Sequence, residues 1–192
     1  MLTIRRSTHG DFEVILSIIN DAAQAYKGVI PDVCWKEPYM PREELHREVE
    51  SGVGFWLCEE AAAAATGARQ NGDRPAGGRF EVLGVMGIQH LRGPPAVGLI
   101  RHAYVKPARQ NQGVGSLLLE RMRRLETSRP LLVGTWKAAR WAVGFYEKHG
   151  FSPVTPVEKK DELLMRYWSV PKRQMEESAV LADERWTMVR HR

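Results

Sequence analysis

The sequence VKPARQNQGVGSLLL, residues 105–119, carries the strongest signal in this chain. A strand end runs into a Gln-x-x-Gly-x-Gly turn at residues 110–115, and an apolar helical pattern begins there. The first N–H groups of a helix have no intrahelical partner, and the helix dipole adds positive potential. Glycines let an anion approach the main chain. The stretch therefore predicts a phosphate cradle, to which Lys106 and Arg109 add charge.

Two other phosphate-binding turns are excluded by the same residues. The stretch lacks the Gly-Lys-Ser/Thr of a nucleotide P-loop. It also has no third glycine at the spacing of the dinucleotide-binding turn. A glycine-rich helix start used only for close packing remains an alternative.

Apolar periodicity on both sides of this turn predicts an α+β fold. Strands are predicted at residues 2–5, 55–58, 80–91, 99–105, 131–136, 151–154 and 179–182. Helices are predicted at residues 12–26, 42–51, 113–126, 138–149 and 158–168. The apolar stripe of the third helix is expected to contain Val114, Leu117, Leu118, Met122 and Leu125, and the fourth helix is expected to turn Trp141, Ala142 and Phe145 inward. The order is an antiparallel meander followed by strand–helix–strand–helix–strand.

Composition narrows the class of protein further. The chain has 192 residues, 43% hydrophobic and 27% charged, which is typical of one globular domain. No apolar run is long enough to span a membrane, and the N-terminus turns polar at once. The two cysteines, Cys34 and Cys58, exclude a disulfide scaffold and a cysteine-rich zinc site. We expect a reducing, cytoplasmic location and no metal.

The net charge of +5 is mild, and the basic residues are scattered without a nucleic-acid-binding motif. We therefore expect neither a nucleic-acid nor a membrane partner. The Ala/Gly-rich segment 61–78 has little to bury and is expected to be a mobile, dispensable hairpin insertion.

A second motif, AVGFYEKHGF at residues 142–151, follows the cradle. Together the two motifs resemble the GNAT superfamily of acyl-CoA N-acyltransferases. Members of this family have a strand ending in Val-x-Pro, then Arg/Gln-x-x-Gly-x-Gly/Ala, and later a helix ending in Tyr-Glu-x-x-Gly-Phe. The resemblance covers roughly residues 2–154 and is strongest over residues 99–151.

This resemblance implies a mixed, mostly antiparallel central sheet flanked by helices. A V-shaped splay between strands 99–105 and 131–136 would admit the pantetheine arm of CoA. Residues 1–192 would then form a single N-acetyltransferase domain, with a core of about residues 2–154 and a C-terminal extension at 155–192, which could supply a further strand or an arm.

The resemblance also implies particular site residues. Main-chain groups near Tyr104 and Val105 would pair with pantetheine, and Gln110 matches the family's Arg/Gln position. The pyrophosphate would lie against the N–H groups of Gln112, Gly113, Val114, Gly115 and Ser116. Tyr146 matches the tyrosine that protonates the CoA sulfur. Many members have Asn where this chain has Ala139, which puts one pantetheine contact in doubt.

Transfer of an acyl group to an amine, which the resemblance implies, needs a group that deprotonates the amine. His102, on the strand before the cradle, is the leading candidate, with His90 as an alternative. The alternative interpretation of both residues is a histidine that only forms hydrogen bonds within the sheet. Glu59 and Glu81 are poorer candidates, and His149 is expected to contact the last carbonyls of its helix.

The acceptor site is expected to have an aromatic wall. Its candidate residues are Tyr26, Trp35, Tyr39 and Trp136. The alternative is that these side chains only pack the loop that contains them.

The resemblance predicts an acetyl-CoA-dependent N-acetyltransferase that acts on a primary amine of a small molecule, without a metal, by direct attack on the thioester. Two alternatives stay open: a protein N-terminal or lysine acetyltransferase, and a non-catalytic acyl-CoA-binding module. Many relatives dimerise, so a homodimer is kept as an option.

Overall fold

A computed structural model describes residues 1–61 and 80–186. Its strands are Leu2–Arg6 (β1), Gly54–Ala61 (β2), Phe80–Leu91 (β3), Val97–Val105 (β4), Leu131–Trp136 (β5), Ser152–Pro153 (β6) and Ser178–Ala182 (β7). Its α-helices are Phe12–Ala23 (α1), Arg42–Glu50 (α2), Val114–Leu125 (α3), Arg140–Lys148 (α4), Val157–Trp168 (α5) and Lys172–Met175 (α6). The predicted insertion lies, except for its first residue, outside the described residues. None of the described helices is long and apolar enough to cross a membrane.

The strands form one mixed sheet in the order β1-β2-β3-β4-β5-β7-β6. β4 and β5 pair in parallel, and the other neighbours pair antiparallel. β4 pairs with β5 only through Gly98, Leu99 and Ile100. The rest of β4 remains paired with β3, and the end of β5 pairs with β7. The predicted fold class is therefore confirmed, including a splay that leaves one edge of residues 101–105 open.

Helices cover both faces of this sheet because side chains along a strand alternate between its faces. On β5, Leu131 and Val133 pack in the cluster that contains α3 and Tyr146 of α4. Leu132 packs on the opposite face with α5. Each fully buried aliphatic side chain in these layers contributes about 1.5–3 kcal/mol. The two layers hold β4 and β5 in place where the strands diverge.

Two predicted apolar faces are partly wrong. On α3, Leu119 is buried instead of Leu117 and Leu125, which are both 37% exposed. The buried face follows the i, i+4, i+5, i+8 positions from Val114, and these side chains pack in the cluster that contains β3, β4 and β5. Trp141 does not point into the core; it is half exposed and stacks on the Tyr26 ring at 5.8 Å.

The C-terminal part of the chain also differs from the prediction. The strand predicted at 151–154 is shorter in the structure, at Ser152–Pro153 (β6), and it lies at the edge of the sheet because β7 lies between it and β5. The short helix α6, which leads into β7, was not predicted. The extension thus supplies an internal strand of the sheet.

Candidate active site

The turn before α3 is shaped by left-handed backbone. Asn111 has a φ of +61° and Gly113 a φ of +82°, so glycine is needed at residue 113 for its conformation. α3 starts at Val114, and no side chain among the described residues caps that end. The N–H groups of the first helical turn therefore remain available to a ligand.

These N–H groups lie beside a cavity of about 770 Å³, which we call the large cleft. It is bounded by the end of β4, the start of α3 and one side of α4. Six of the predicted cofactor-binding residues line it: Tyr104, Val105, Gln110, Gly113, Gly115 and Ser116. Asn111 and Lys148, which the sequence did not single out, line it as well. The contiguous motif therefore forms one wall of a single cavity.

The other two predicted residues do not line the large cleft with their side chains. The Gln112 side-chain amide donates a hydrogen bond to the Ala108 carbonyl at 3.1 Å. Val114 is buried in the core, so only its main chain can face a ligand. A Cβ on Gly115 would come within 3.3 Å of the Phe145 ring. Close helix packing therefore accounts for the second glycine, and backbone conformation for the first.

The two cations that the sequence predicted for the cradle, Lys106 and Arg109, are paired with carboxylates. Lys106 pairs with Glu81 at 3.0 Å, and Arg109 pairs with Glu81 at 3.1 Å and Glu60 at 3.4 Å. These two cations lower the pKa of the Glu81 carboxyl. Arg109 still lines the large cleft, but Lys106 does not, so the expectation that Lys106 adds charge there is wrong. Its amine is drawn to Glu81 instead. The main-chain N–H groups, together with Arg109 and Lys148 in the lining of the large cleft, can attract an anion.

His149 connects α4 to the start of α3. Its Nδ1 lies 2.7 Å from the Phe145 carbonyl oxygen, which is the contact with the last helical carbonyls that the sequence predicted. Its Nε2 lies 3.0 Å from the Ser116 hydroxyl. If Nδ1–H donates to the carbonyl, the neutral ring accepts the Ser116 proton at Nε2. His149 therefore links the end of α4 to the first turn of α3.

Tyr146 lines the large cleft and is only 4% exposed. Its ring packs edge-on against Phe145 at 5.1 Å and Phe151 at 5.4 Å. Burial, with a smaller contribution from Tyr26, raises the pKa of Tyr146 well above its ordinary value. The hydroxyl therefore keeps its proton at neutral pH and can donate it.

A second cavity of about 310 Å³, the small pocket, lies beside the splay. It is lined from α2, β4, β5, α5 and the loop before α2. Of the predicted aromatic residues, Tyr39 and Trp136 line it, and the Trp136 indole donates a hydrogen bond to the Tyr39 hydroxyl at 3.0 Å. Tyr26 lines the large cleft instead. Trp35 stacks on Tyr39 at 5.7 Å and lines neither cavity.

Tyr104 is the residue that lines both cavities. Its ring lies edge-on to that of Tyr26, with ring centroids 6.3 Å apart, and its hydroxyl interacts electrostatically with those of Tyr26 and Tyr39. Burial raises the pKa of all three hydroxyls, so they stay uncharged at neutral pH. The two cavities therefore meet at a polar but neutral junction.

His102 faces the small pocket because β4 contains a bulge. The register with β3 shifts between Val85 and Gly87, and His102 has a φ of +47°. A non-glycine residue in this conformation costs about 1–3 kcal/mol and is typical of functional sites. The bulge breaks the alternation of side chains, so Arg101 and His102 both line the small pocket.

The alternative bases lie elsewhere. His90 contacts Glu126 at 2.7 Å, and Glu59 pairs with Arg5 at 2.8 Å; neither lines either cavity. Glu48 on α2, which the sequence analysis did not single out, lies 3.3 Å from His102 Nε2. Only the charge-rich character of α2 hinted at it. Within the described part of the chain, no group of three or more His, Cys, Asp or Glu residues could hold a metal ion.

Comparison with known proteins identifies the family. Residues 54–153 match the family model for the acetyltransferase (GNAT) domain. The chain therefore belongs to the GNAT family of acetyltransferases, as its two motifs predicted, and is a transferase. No curated protein matches the chain significantly.

Solved structures share its fold. The PaiA N-acetyltransferase from Thermoplasma acidophilum, in complex with coenzyme A, has a TM-score of 0.60 and 14% identity, over 95% of this chain and 98% of that chain. A GNAT-family acetyltransferase from Staphylococcus aureus Mu50 has a TM-score of 0.59 and 15% identity, over 95% and 98%. The yncA protein from Salmonella typhimurium, with its cofactor acetyl-CoA, has a TM-score of 0.52 and 17% identity, over 81% and 82%.

Proposed function

We propose that this chain transfers an acetyl group from acetyl-CoA to a primary amine of a small molecule. The observation that carries the proposal is the pair of cavities that meet at Tyr104 in the splay of β4. Tyr146 lies on one side of that junction, and His102 lies on the other. One substrate can therefore approach from each cavity.

The large cleft fits coenzyme A. The open edge of residues 101–105 offers main-chain groups to the amides of pantetheine, in the manner of an added strand. The uncapped N–H groups at the start of α3 offer a site for the pyrophosphate, with Gln110 and Ser116 beside it. Acetyl-CoA supplies the acetyl group as an activated thioester.

Two side chains divide the proton transfers between the cavities. A primary alkylamine has a pKa of about 10 and arrives protonated, so His102 is assigned to take that proton. Tyr146 keeps a proton on its hydroxyl and is assigned to donate it to the departing sulfur. The attacking nitrogen is positively charged once its bond to the carbonyl carbon has formed, and it loses a second proton, which restores the Tyr146 hydroxyl. A main-chain N–H of β4 can stabilise the oxyanion of the tetrahedral intermediate. No cysteine is needed as a nucleophile because the amine attacks the thioester directly.

The dimensions of the small pocket favour a small acceptor. Its volume of about 310 Å³ is at the lower end of the range for small-molecule sites. The loop before α2, α2 itself and α5 surround it. A single amine-bearing metabolite fits this space better than a polypeptide segment does. We also propose that residues 1–192 form one domain, since β7 from the C-terminal part pairs within the sheet.

A thiol-release assay tests the proposal. The chain is incubated with acetyl-CoA and either a panel of small primary amines or peptides with free N-termini and lysines. Turnover of small amines is the expected result. Turnover of peptides alone would support a protein acetyltransferase, and CoA binding without any turnover would support a non-catalytic module. Either outcome would contradict the proposal.

A further inference from the structure

We propose that Glu48 on α2 is a positioning residue that holds His102 ready to take a proton from the acceptor amine. This inference rests on the proposed function, because it assigns a partner to the same base. Glu48 Oε2 lies 3.3 Å from His102 Nε2, and both side chains line the small pocket. The two residues come from different elements and are far apart in the sequence.

The contact between these two atoms is shielded from solvent. Glu48 Oε2 and His102 Nε2 are both buried, and neither has a hydrogen-bond partner among the described residues, so the 3.3 Å contact between them is electrostatic and is not a hydrogen bond. A buried polar atom without a partner is costly, so each atom depends on the other. The His102 ring is fixed on its other side by stacking on Phe55, with ring centroids 6.0 Å apart. Glu48 and Phe55 together set the orientation of the imidazole.

Charge favours the same arrangement. The contact with His102, followed by the charge of Arg101, lowers the pKa of the Glu48 carboxyl. Glu48 is therefore an anion at neutral pH. An anion beside the ring stabilises the imidazolium that forms when the base accepts a proton.

The contact also selects a tautomer. A carboxylate repels a lone pair and attracts a proton, so its charge favours the neutral ring with the proton on Nε2 and the lone pair on Nδ1. Nδ1 has no hydrogen-bond partner in the described residues. The acceptor's N–H bond breaks as an N–H bond forms at Nδ1, and Glu48 stays ionised. The free amine then carries the lone pair that attacks the acetyl group.

Other charged groups near this pair already have partners. Arg101 donates to the Gln89 amide oxygen and the Tyr167 carbonyl, and its Nη1 is 3.9 Å from Glu48. Glu44, one turn earlier on α2, pairs with Lys36. The remaining titratable groups that line the small pocket are Cys34, Tyr39 and Tyr104. Glu48 is thus the one carboxylate lining this pocket, within the described chain, that contacts the base.

A double-mutant cycle tests the assignment on the intact chain with the best amine found. Glu48→Gln keeps the side-chain shape and removes the charge, and it is expected to lower kcat about tenfold or more with acetyl-CoA affinity unchanged. In a His102→Gln background, Glu48→Gln should cause no further loss, because its effect passes through the ring. Glu50→Gln, an exposed change on the same helix, is the matched control and should keep wild-type activity.

The pH dependence gives a readout that a purely structural role would not move. The defect of Glu48→Gln should shrink as pH rises toward the acceptor's own pKa of about 10, since the amine then arrives deprotonated. If Glu48→Gln does not fold, Glu48→Asp replaces it in the double-mutant cycle, since it keeps the charge and moves the carboxylate away from His102. It is likewise expected to lower kcat in the unaltered background and to cause no further loss in the His102→Gln background.

The outcomes separate the two proposals. Wild-type turnover in Glu48→Gln, or losses that multiply in the double variant, would overturn the role of Glu48 and leave the acetyltransferase proposal intact. Wild-type turnover in His102→Gln would overturn both the base and its partner. Absence of amine turnover in the unaltered chain would overturn the proposed function itself.

Discussion

The large cleft and the small pocket are built in different ways. The proposed phosphate cradle of the large cleft comes from one contiguous stretch, and its proposed binding groups are main-chain N–H groups at the start of α3. The small pocket assembles side chains from Cys34 to Ser178, drawn from six helices and strands (α2, β4, β5, α5, α6 and β7) and from the loops between them. A main-chain site is specified by local conformation, whereas a side-chain site is specified by the tertiary fold. The first can be recognised in a sequence, and the second cannot.

Because the two cavities are separate, we expect substitutions in each cavity to affect a different substrate. Changes in the cradle should weaken acetyl-CoA binding, and changes in the small pocket should alter the kinetics of the amine. A variant that affects both substrates equally would show that the two cavities are not independent.

The largest effect is expected for Gly113→Asp. The side chain would occupy a residue with a φ of +82° and place a carboxylate beside the proposed pyrophosphate site. Like-charge repulsion of about 1–4 kcal/mol corresponds to about 5- to 1000-fold weaker acetyl-CoA binding, measured by calorimetry. Gly113→Ala imposes the same backbone strain without the charge, so its smaller loss is the control. Unchanged affinity in the Asp variant would refute the cradle.

Tyr146→Phe should lower kcat by at least about tenfold, with acetyl-CoA affinity and melting temperature kept. The ring still packs against Phe145 and Phe151, so the change isolates the hydroxyl. Tyr167→Phe is a matched control, because that hydroxyl contacts the Pro95 carbonyl away from both cavities. Wild-type turnover in Tyr146→Phe would show that Tyr146 only packs against its neighbours and takes no part in the reaction.

Tyr39→Ala should raise the KM for the amine about twofold to tenfold, since an aromatic contact contributes about 0.5–1.5 kcal/mol. Acetyl-CoA affinity should stay nearly constant, because Tyr39 lines only the small pocket. Trp35→Ala, behind Tyr39, should have a smaller effect. Steady-state kinetics with each substrate varied in turn distinguishes the cases. Equal losses for both substrates would mean that Tyr39 supports the structure as a whole.

The smallest effect is expected for removal of residues 62–77. Ala61 and Phe80 are directly paired across β2 and β3, so a short turn can connect the strands at this point. The segment has little apolar side chain to bury. Melting temperature should fall by less than about 4 °C, and CoA binding should persist. A large fall would show that the segment stabilises the sheet.

Much of the fold could be predicted from the sequence because its strands are apolar runs bounded by turn residues. Residues 80–91 and 131–136 were predicted with the bounds that β3 and β5 have. The burial of Leu119 and the exposure of Trp141 were missed, because both depend on where a neighbouring layer ends. The edge position of β6 was missed because β7, distant in sequence, takes the place next to β5.

The candidate site divides in the same way. Gly113 and Tyr146 lie in motifs with a local physical reason or a family pattern, so a sequence can propose them as site residues. Glu48 lies on a helix whose sequence resembles any charged surface helix, and only the fold brings it to His102. Arg101 was missed because strict strand alternation would direct it away from His102, and the bulge cancels that alternation.

The most direct test of the two-cavity account is a crystal structure of this chain with CoA bound. The pyrophosphate is expected to lie against the N–H groups at the start of α3. Pantetheine is expected to lie along residues 101–105, and the sulfur is expected to lie beside Tyr146. The small pocket is expected to stay free of CoA. A pantetheine arm that enters the small pocket, or a pyrophosphate bound away from Gly113, would contradict the two-cavity account.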